Sequence, residues 1–133
     1  NITDSRTYDV YGNLATYTAT YTPTSTILYS YTLTRDATSR ITGKSETVLG
    51  TTTTYAYSYD SAGRLTAVAV NGSTTTTFTY DSNSNRTSGT IDGVGFTATY
   101  DDQDRIQTYN SRTYSHNTNG YLTSIQWTPT SSS

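Results

Sequence analysis

The chain has 133 residues and a net charge of −2, with 50 Thr or Ser and 14 Tyr against 19 Ile, Leu, Val and Phe together, and with no Cys or Met. No apolar run approaches the ~20 residues of a membrane-spanning helix. Eight scattered Lys and Arg give no basic footprint for nucleic acid, and zero Cys excludes disulfides, zinc-thiolate sites and thiol catalysis. Aliphatic content falls below the roughly 20% at which disorder becomes a concern, but disorder also needs high net charge and few aromatics, so a core built from tyrosine is expected.

Helix formers are scarce, and Thr and Tyr favour strands. The expected class is all-β. A seven-residue pattern recurs, beginning at Tyr8 (YDVYGNL), Arg35 (RDATSRI), Tyr59 (YDSAGRL), Tyr80 (YDSNSNR), Tyr100 (YDDQDRI) and His116 (HNTNGYL), at spacings of 27, 24, 21, 20 and 16 residues. Between copies the plan is constant: strand, turn, strand. The first interval turns near Pro23-Thr24, then Ile27, Tyr29, Tyr31 and Leu33 alternate with Ser30, Thr32 and Thr34. The second turns near Leu49-Gly50, and Tyr55, Tyr57 and Tyr59 alternate with Ala56 and Ser58. In the third, Leu65, Ala67 and Ala69 alternate up to Asn71-Gly72, a strong two-residue hairpin signal, and Phe78 and Tyr80 return on one face. The fourth turns at Asp92-Gly93 and returns with Phe96, Ala98 and Tyr100. The fifth turns near Asn110-Ser111. Period two marks half-buried strands. About twelve strands are expected, in five complete hairpins and an opening strand, Leu122 to Trp127, that lacks its return partner.

The recurring residues have a physical reading. Asp at the second position (Asp9, Asp36, Asp60, Asp81, Asp101) accepts backbone N–H bonds two residues on, an Asx-turn. Gly, Ser or Asp at the fifth suits the turn, and Gly (Gly63, Gly120) allows positive φ. Arg at the sixth (Arg40, Arg64, Arg105) lays its stem on a Tyr ring and pairs with an Asp. Leu or Ile at the seventh (Leu14, Ile41, Leu65, Ile106, Leu122) starts the next strand facing the core. The fourth copy puts Arg86 there, so either its register slips by one or it carries a β-bulge.

With Tyr8, Asp9, Tyr59 to Leu65, Tyr80, Asp81, Tyr100 and Asp101 in place, the chain resembles the Rhs/YD-repeat family over roughly residues 8–127. Tyr59 to Leu65 matches the family's Tyr-Asp-x-x-Gly-Arg-Leu throughout. The resemblance implies successive hairpins joined edge to edge into one twisted, spiralling antiparallel sheet, with residues 1–133 as a single module. Large members close such a sheet into shells, as in bacterial Rhs toxins, Tc toxin B/C components and teneurins. Full shells need more repeats than six, and Thr128-Pro129-Thr130 with three serines carries no self-cleavage motif, so encapsulation and autoproteolysis are not expected here. The chain opens at Asn1 with no basic segment and apolar stretch behind it, so no signal peptide is expected in these residues, and the start fits a processed product or an excised piece.

Candidate chemistry is thin. His116 occupies a Tyr slot and is expected to be structural. A triad is a matter of geometry, but no Gly-x-Ser-x-Gly elbow or paired carboxylate is visible, so no catalytic residues and no enzymatic activity are expected. Asp81 to Asn85 spaces oxygens like the start of a calcium loop, yet Arg86 and Asp92 stand where Gly and Glu belong. Asp101, Asp102 and Asp104 form a second oxygen-rich cluster. No metal or cofactor is expected, calcium being the one alternative. Three Asn-x-Ser/Thr sites, at Asn1, Asn71 and Asn85, fit the glycosylation pattern and are expected to be unmodified.

Two readings of the tyrosines stay open. Tyr31, Tyr55, Tyr57, Tyr59 and Tyr80 are core, or an exposed ladder of Tyr55, Tyr57 and Trp127 stacks on sugar rings. The function expected is a structural module of a secreted or cell-surface protein, building shell wall, stalk or filament. Its partners would be other copies or neighbouring repeats through edge strands; the alternative is carbohydrate binding and adhesion. Neither nucleic acid nor a membrane span is expected.

Overall fold

The computed structural model describes residues 1–127; the Thr128-Pro129-Thr130 and serine tail lies outside the described residues. No helix forms among them. Twelve strands run in succession: β1 (Ile2–Tyr8), β2 (Leu14–Tyr21), β3 (Thr26–Arg35), β4 (Ile41–Val48), β5 (Thr51–Tyr59), β6 (Leu65–Val70), β7 (Ser73–Tyr80), β8 (Arg86–Ile91), β9 (Val94–Tyr100), β10 (Ile106–Tyr109), β11 (Arg112–His116) and β12 (Leu122–Trp127). The all-β class and the antiparallel hairpin plan hold. The chain groups into two compact units, Asn1–Thr74 and a second from Thr75 onward.

In the first unit β1 to β6 pair in chain order, each antiparallel to the next. In the second, β7 to β12 do the same. The hairpin turns fall where the sequence puts them. Leu49-Gly50, Asn71-Gly72 and Asp92-Gly93 all have positive φ at both residues, the primed geometry that matches strand twist. Asn71 and Asn110 do more than turn. Asn71 N–H donates to the Thr54 carbonyl at 2.8 Å while its Oδ1 accepts from Thr54 N–H at 2.9 Å. Asn110 does the same with Thr97, at 2.9 and 2.8 Å.

One feature of register is absent from the sequence reading. In every copy the first motif residue pairs with the seventh, and the eighth is a bulge. Tyr8 faces Leu14 but Thr7 faces Thr16, leaving Ala15 extra. The same offset isolates Thr42, Thr66, Thr87, Gln107 and Thr123. An extra residue in a period-two strand moves the residues after it to the other face. So Leu65, opposite Tyr59, shares its face with Val68 and Val70, opposite Tyr57 and Tyr55, while Ala67 and Ala69 lie on the other. The expected Leu65-Ala67-Ala69 alternation is therefore corrected. Of the two readings of the fourth copy, the bulge holds and the slip does not: Tyr80 faces Arg86 in the common register with Thr87 extra, and the Arg86 guanidinium lies 4.1 Å from the Phe78 ring centroid. The cation sits on an aromatic face where an aliphatic chain sits elsewhere.

Burial follows these faces but is shallow. Tyr17, Tyr29, Tyr31, Tyr55, Tyr57 and Tyr59 are half-buried. Among the described residues the buried side chains are Phe78, Phe96 and Ala98, all in the second unit. There the Phe96 ring lies 6.2 Å from Phe78 and stacks on Tyr109 at 5.6 Å. Gly89, opposite both phenylalanines, leaves room for the rings to meet. The tyrosine-built core of the first unit is a half-covered layer, and the buried positions went to phenylalanine and alanine. Thr lines the other face in cross-strand hydroxyl pairs, among them Thr47 with Thr52 at 2.8 Å and Thr99 with Thr108 at 2.7 Å.

The Tyr-Asp turn as candidate functional site

Each motif closes a five-residue loop by the same bonds. The second residue's N–H donates to the sixth carbonyl, at 2.8 to 3.1 Å in all six copies, and the fifth N–H donates to the second carbonyl at 2.9 to 3.2 Å. The second side chain fills the loop. Asp36 Oδ1 accepts from Thr38 N–H at 2.9 Å and Arg40 N–H at 3.0 Å. Asp9, Asp81 and Asp101 accept from the equivalent amides, and Asp60 accepts from Arg64 N–H at 2.9 Å. Asn117 keeps the backbone bonds with Oδ1 alone. The fifth residue has positive φ in every copy: Gly12, Gly63 and Gly120, but also Ser39 (65°), Ser84 (72°) and Asp104 (60°).

The sixth residue works twice. Arg40, Arg64 and Arg105 each donate Nε–H to Oδ2 of their own Asp at 2.7 Å. Asn13 and Asn85 donate an amide to the same oxygen at 3.1 Å. The arginines also reach the next turn. The Arg40 guanidinium lies 4.9 Å from the Tyr59 ring centroid, and its Nη1 lies 3.5 Å from where a Cβ on Gly63 would sit. Arg105 Nη1 lies 3.7 Å from the same point on Gly120. A Cβ on either glycine would meet that arginine at ordinary van der Waals distance, so it is the positive φ, 81° and 84°, that favours glycine there.

The first residue supplies the link that sequence reasoning missed. Tyr59 Oη donates to the Ile41 carbonyl at 2.7 Å, and Tyr100 Oη to the Arg86 carbonyl at 3.1 Å. In both, the acceptor is the seventh residue of the preceding motif. Arg35, standing in a Tyr slot, sends Nη2 toward the equivalent Leu14 carbonyl at 3.4 Å and Nη1 to its own loop at Ser39 O, 3.0 Å. The acceptor lies beside the bulge, where ladder bonding is interrupted, so a phenol reaches an otherwise poorly paired carbonyl. Tyr59→Phe keeps the ring under Arg40 and removes only this bond. It is expected to cost about 1 kcal/mol in chemical denaturation; an unchanged midpoint would make the bond idle.

The turn acids are held ionised. The Thr38 hydroxyl, and with it Arg40, pulls Asp36 down to about 2 despite partial burial. The Asn13 amide lowers Asp9, and the Arg64 amide and guanidinium lower Asp60. Burial works to raise Asp101, but the Arg105 amide and guanidinium outweigh it and the net shift is downward. A carboxyl depressed in the fold stabilises it above the unfolded value, and that contribution is lost as pH falls through the folded one. Melting temperature is therefore expected to stay level above about pH 5 and to fall between about pH 4 and 2. A melting temperature level down to pH 2 would contradict the ionised turn.

The remaining candidates scatter. Tyr8 is 60% exposed, whereas Tyr59, Tyr80 and Tyr100 are half-buried. Leu122 is exposed, whereas Leu14, Ile41, Leu65 and Ile106 are half-buried. His116, half-buried, pairs with Leu122 like any first residue. Tyr55 and Tyr57 stack on each other with centroids 6.5 Å apart, in the first unit. Trp127 is exposed in the second, under Arg112 at 5.0 Å. The oxygens that suggested calcium face amide donors: Asp104 Oδ1 takes the Asn83 and Asn85 amides at 2.9 and 2.7 Å. Among the described residues no three His, Cys, Asp or Glu side chains converge on one point. The one Lys and one Glu, unremarked in the sequence, pair at 2.5 Å among the tyrosines, and Glu46 also takes the Tyr29 hydroxyl at 2.6 Å. The Lys44 ammonium lowers Glu46, and Glu46 in turn raises Lys44 and Tyr29.

Consecutive hairpins, each closed by one motif turn and tied at Arg35, Tyr59 and Tyr100 to the turn before, define a YD-repeat protein of the shell-building class. The match is to the teneurin YD-shell family model, over residues 1–128. The chain belongs to that family, and its role is that of a structural shell repeat. No curated protein matches it. No helix among the described residues is long and apolar enough to cross a membrane.

Proposed function

We propose that the chain is a non-enzymatic wall segment of an extracellular or cell-surface YD-shell protein, extended by edge-strand pairing with neighbouring repeats. The observation that carries this is the phenol-to-carbonyl link between successive motifs, which joins repeat to repeat as a continuous wall requires. Repeat arrays are stable through nearest neighbours, and their ends present unpaired edges. Light scattering over rising concentration tests the reading. Mass is expected to grow with concentration, with slow amide exchange in β1 and β12. A strict monomer at every concentration would count against it.

A carbohydrate-binding reading has one observation in its favour. Trp127 and Tyr109 flank a cleft of about 300 Å³ with Asn110, Ser111 and Arg112, an aromatic platform beside polar groups. Glycan-array binding lost on Trp127→Ala would support it, and silence across the array would remove it.

A further inference from the structure

We infer that β12 takes β1 of a second copy of this chain as its return strand, head to tail and in one fixed register. This rests on the edge-pairing reading and adds the partner strand, the register and the residues that set it. At four described junctions between successive motifs the register is invariant. The ninth motif residue faces the residue three before the next motif: Thr16 with Thr32, Gly43 with Ala56, Ser88 with Thr97, and Thr108 with Thr113. The ninth residue of the sixth motif is Ser124. The residue three before the first motif is Ser5. The rule therefore sets Ser124 against Ser5 of the next copy, Ile125 against Asp4 and Trp127 against Ile2.

Three further observations fit that join. In chain order β1 has the place in the plan of a strand after β12: it too runs into a Tyr-Asp motif. Leu122, Ile125 and Trp127 on one edge and Tyr8 on the other are 51 to 66% exposed, whereas most of their counterparts in the other copies are half-buried. Finally, Tyr8 is a first motif residue whose hydroxyl has no partner among the described residues, and Leu122 is a seventh residue whose carbonyl stands where Tyr59 and Tyr100 find theirs. Tyr8 of one copy donating to Leu122 O of another repeats the internal link across the join.

The full chain lacks cysteine, so paired cysteines report the register directly. Opposed residues in an antiparallel pair lie within disulfide reach, and residues two out of register do not. The Ser5→Cys/Ser124→Cys variant, oxidised where scattering shows growth, is expected to give a ladder of covalent oligomers, and Thr3→Cys/Ser124→Cys mostly uncoupled chains. Tyr8→Phe is expected to raise the concentration for half-assembly about five-fold. A ladder from the shifted pair instead would overturn the register while leaving edge assembly standing. A cross-linked monomer would show β12 closing on its own β1 and overturn the second copy as partner. A chain that stays monomeric by scattering would overturn the inference and the edge-pairing reading together.

Discussion

Phe96→Ala is expected to destabilise the second unit by about 3 kcal/mol in urea unfolding. Phe96 is 8% exposed and touches two other rings, Phe78 at 6.2 Å and Tyr109 at 5.6 Å. Truncation removes the transfer energy of a buried ring and both ring contacts, which add roughly 0.5–1.5 kcal/mol beyond area. Nothing on this face can close the gap cheaply, since Ala98 beside it is already small. Half-buried Tyr57, in the first unit, is expected to lose less on truncation because water already reaches its ring. A loss at Phe96 no larger than at Tyr57 would mean that the cluster is not the core of its unit.

Gly89→Ala is expected to cost about 2–3 kcal/mol, and for a different reason. A Cβ there would drive into the Thr77 carbonyl oxygen, come within 2.9 Å of the carbonyl carbon, and lie 3.0 Å from Phe96 Cε1. Two of the three obstacles are backbone of the neighbouring strand and cannot rotate aside. Trimming Phe96 in the same chain should therefore fail to rescue the variant. Gly95 provides the control: a Cβ there meets only the Gly89 carbonyl oxygen, at 4.0 Å, so Gly95→Ala is expected to be near neutral. Equal effects at the two glycines would assign the loss to strand propensity rather than to close approach.

What was legible in the sequence was whatever is written within a few residues. Asn-Gly, Asp-Gly and Leu-Gly pairs punctuate the hairpins, so strand number and turn positions could be read directly. The Asp-Arg pairing lies inside one motif, four residues apart, and the Asx-turn lies inside the same loop. The phenol-to-carbonyl link was not legible, because its partners stand 18, 14 and, for Arg35, 21 residues apart in different repeats. The bulge escaped for another reason. Thr42, Thr66, Thr87 and Thr123 are ordinary strand residues, and nothing in their chemistry marks one as surplus. Counting alternation straight through Thr66 put Leu65 with Ala67, when its companions are Val68 and Val70. Burial was misjudged by the same route. Period two shows which residues share a face but not how deeply that face is covered, and among the described residues it is deeply covered at Phe78, Phe96 and Ala98.

The eighth-position bulge has a consequence for how such an array can change length. Because pairing is set afresh at each motif, the facing of one hairpin carries no memory of the strand lengths before it. Residues can be gained or lost at a hairpin's far end without turning later tyrosines outward. The spacings shorten along the chain from 27 to 16 residues while the turn stays constant. In the longest interval a second bulge, at Leu28, keeps Tyr29 opposite Ala19 although Ile27 faces Thr20. The motif is thus a phase reset, and the wall it builds can narrow hairpin by hairpin, a taper made by trimming strands rather than by inventing a new repeat.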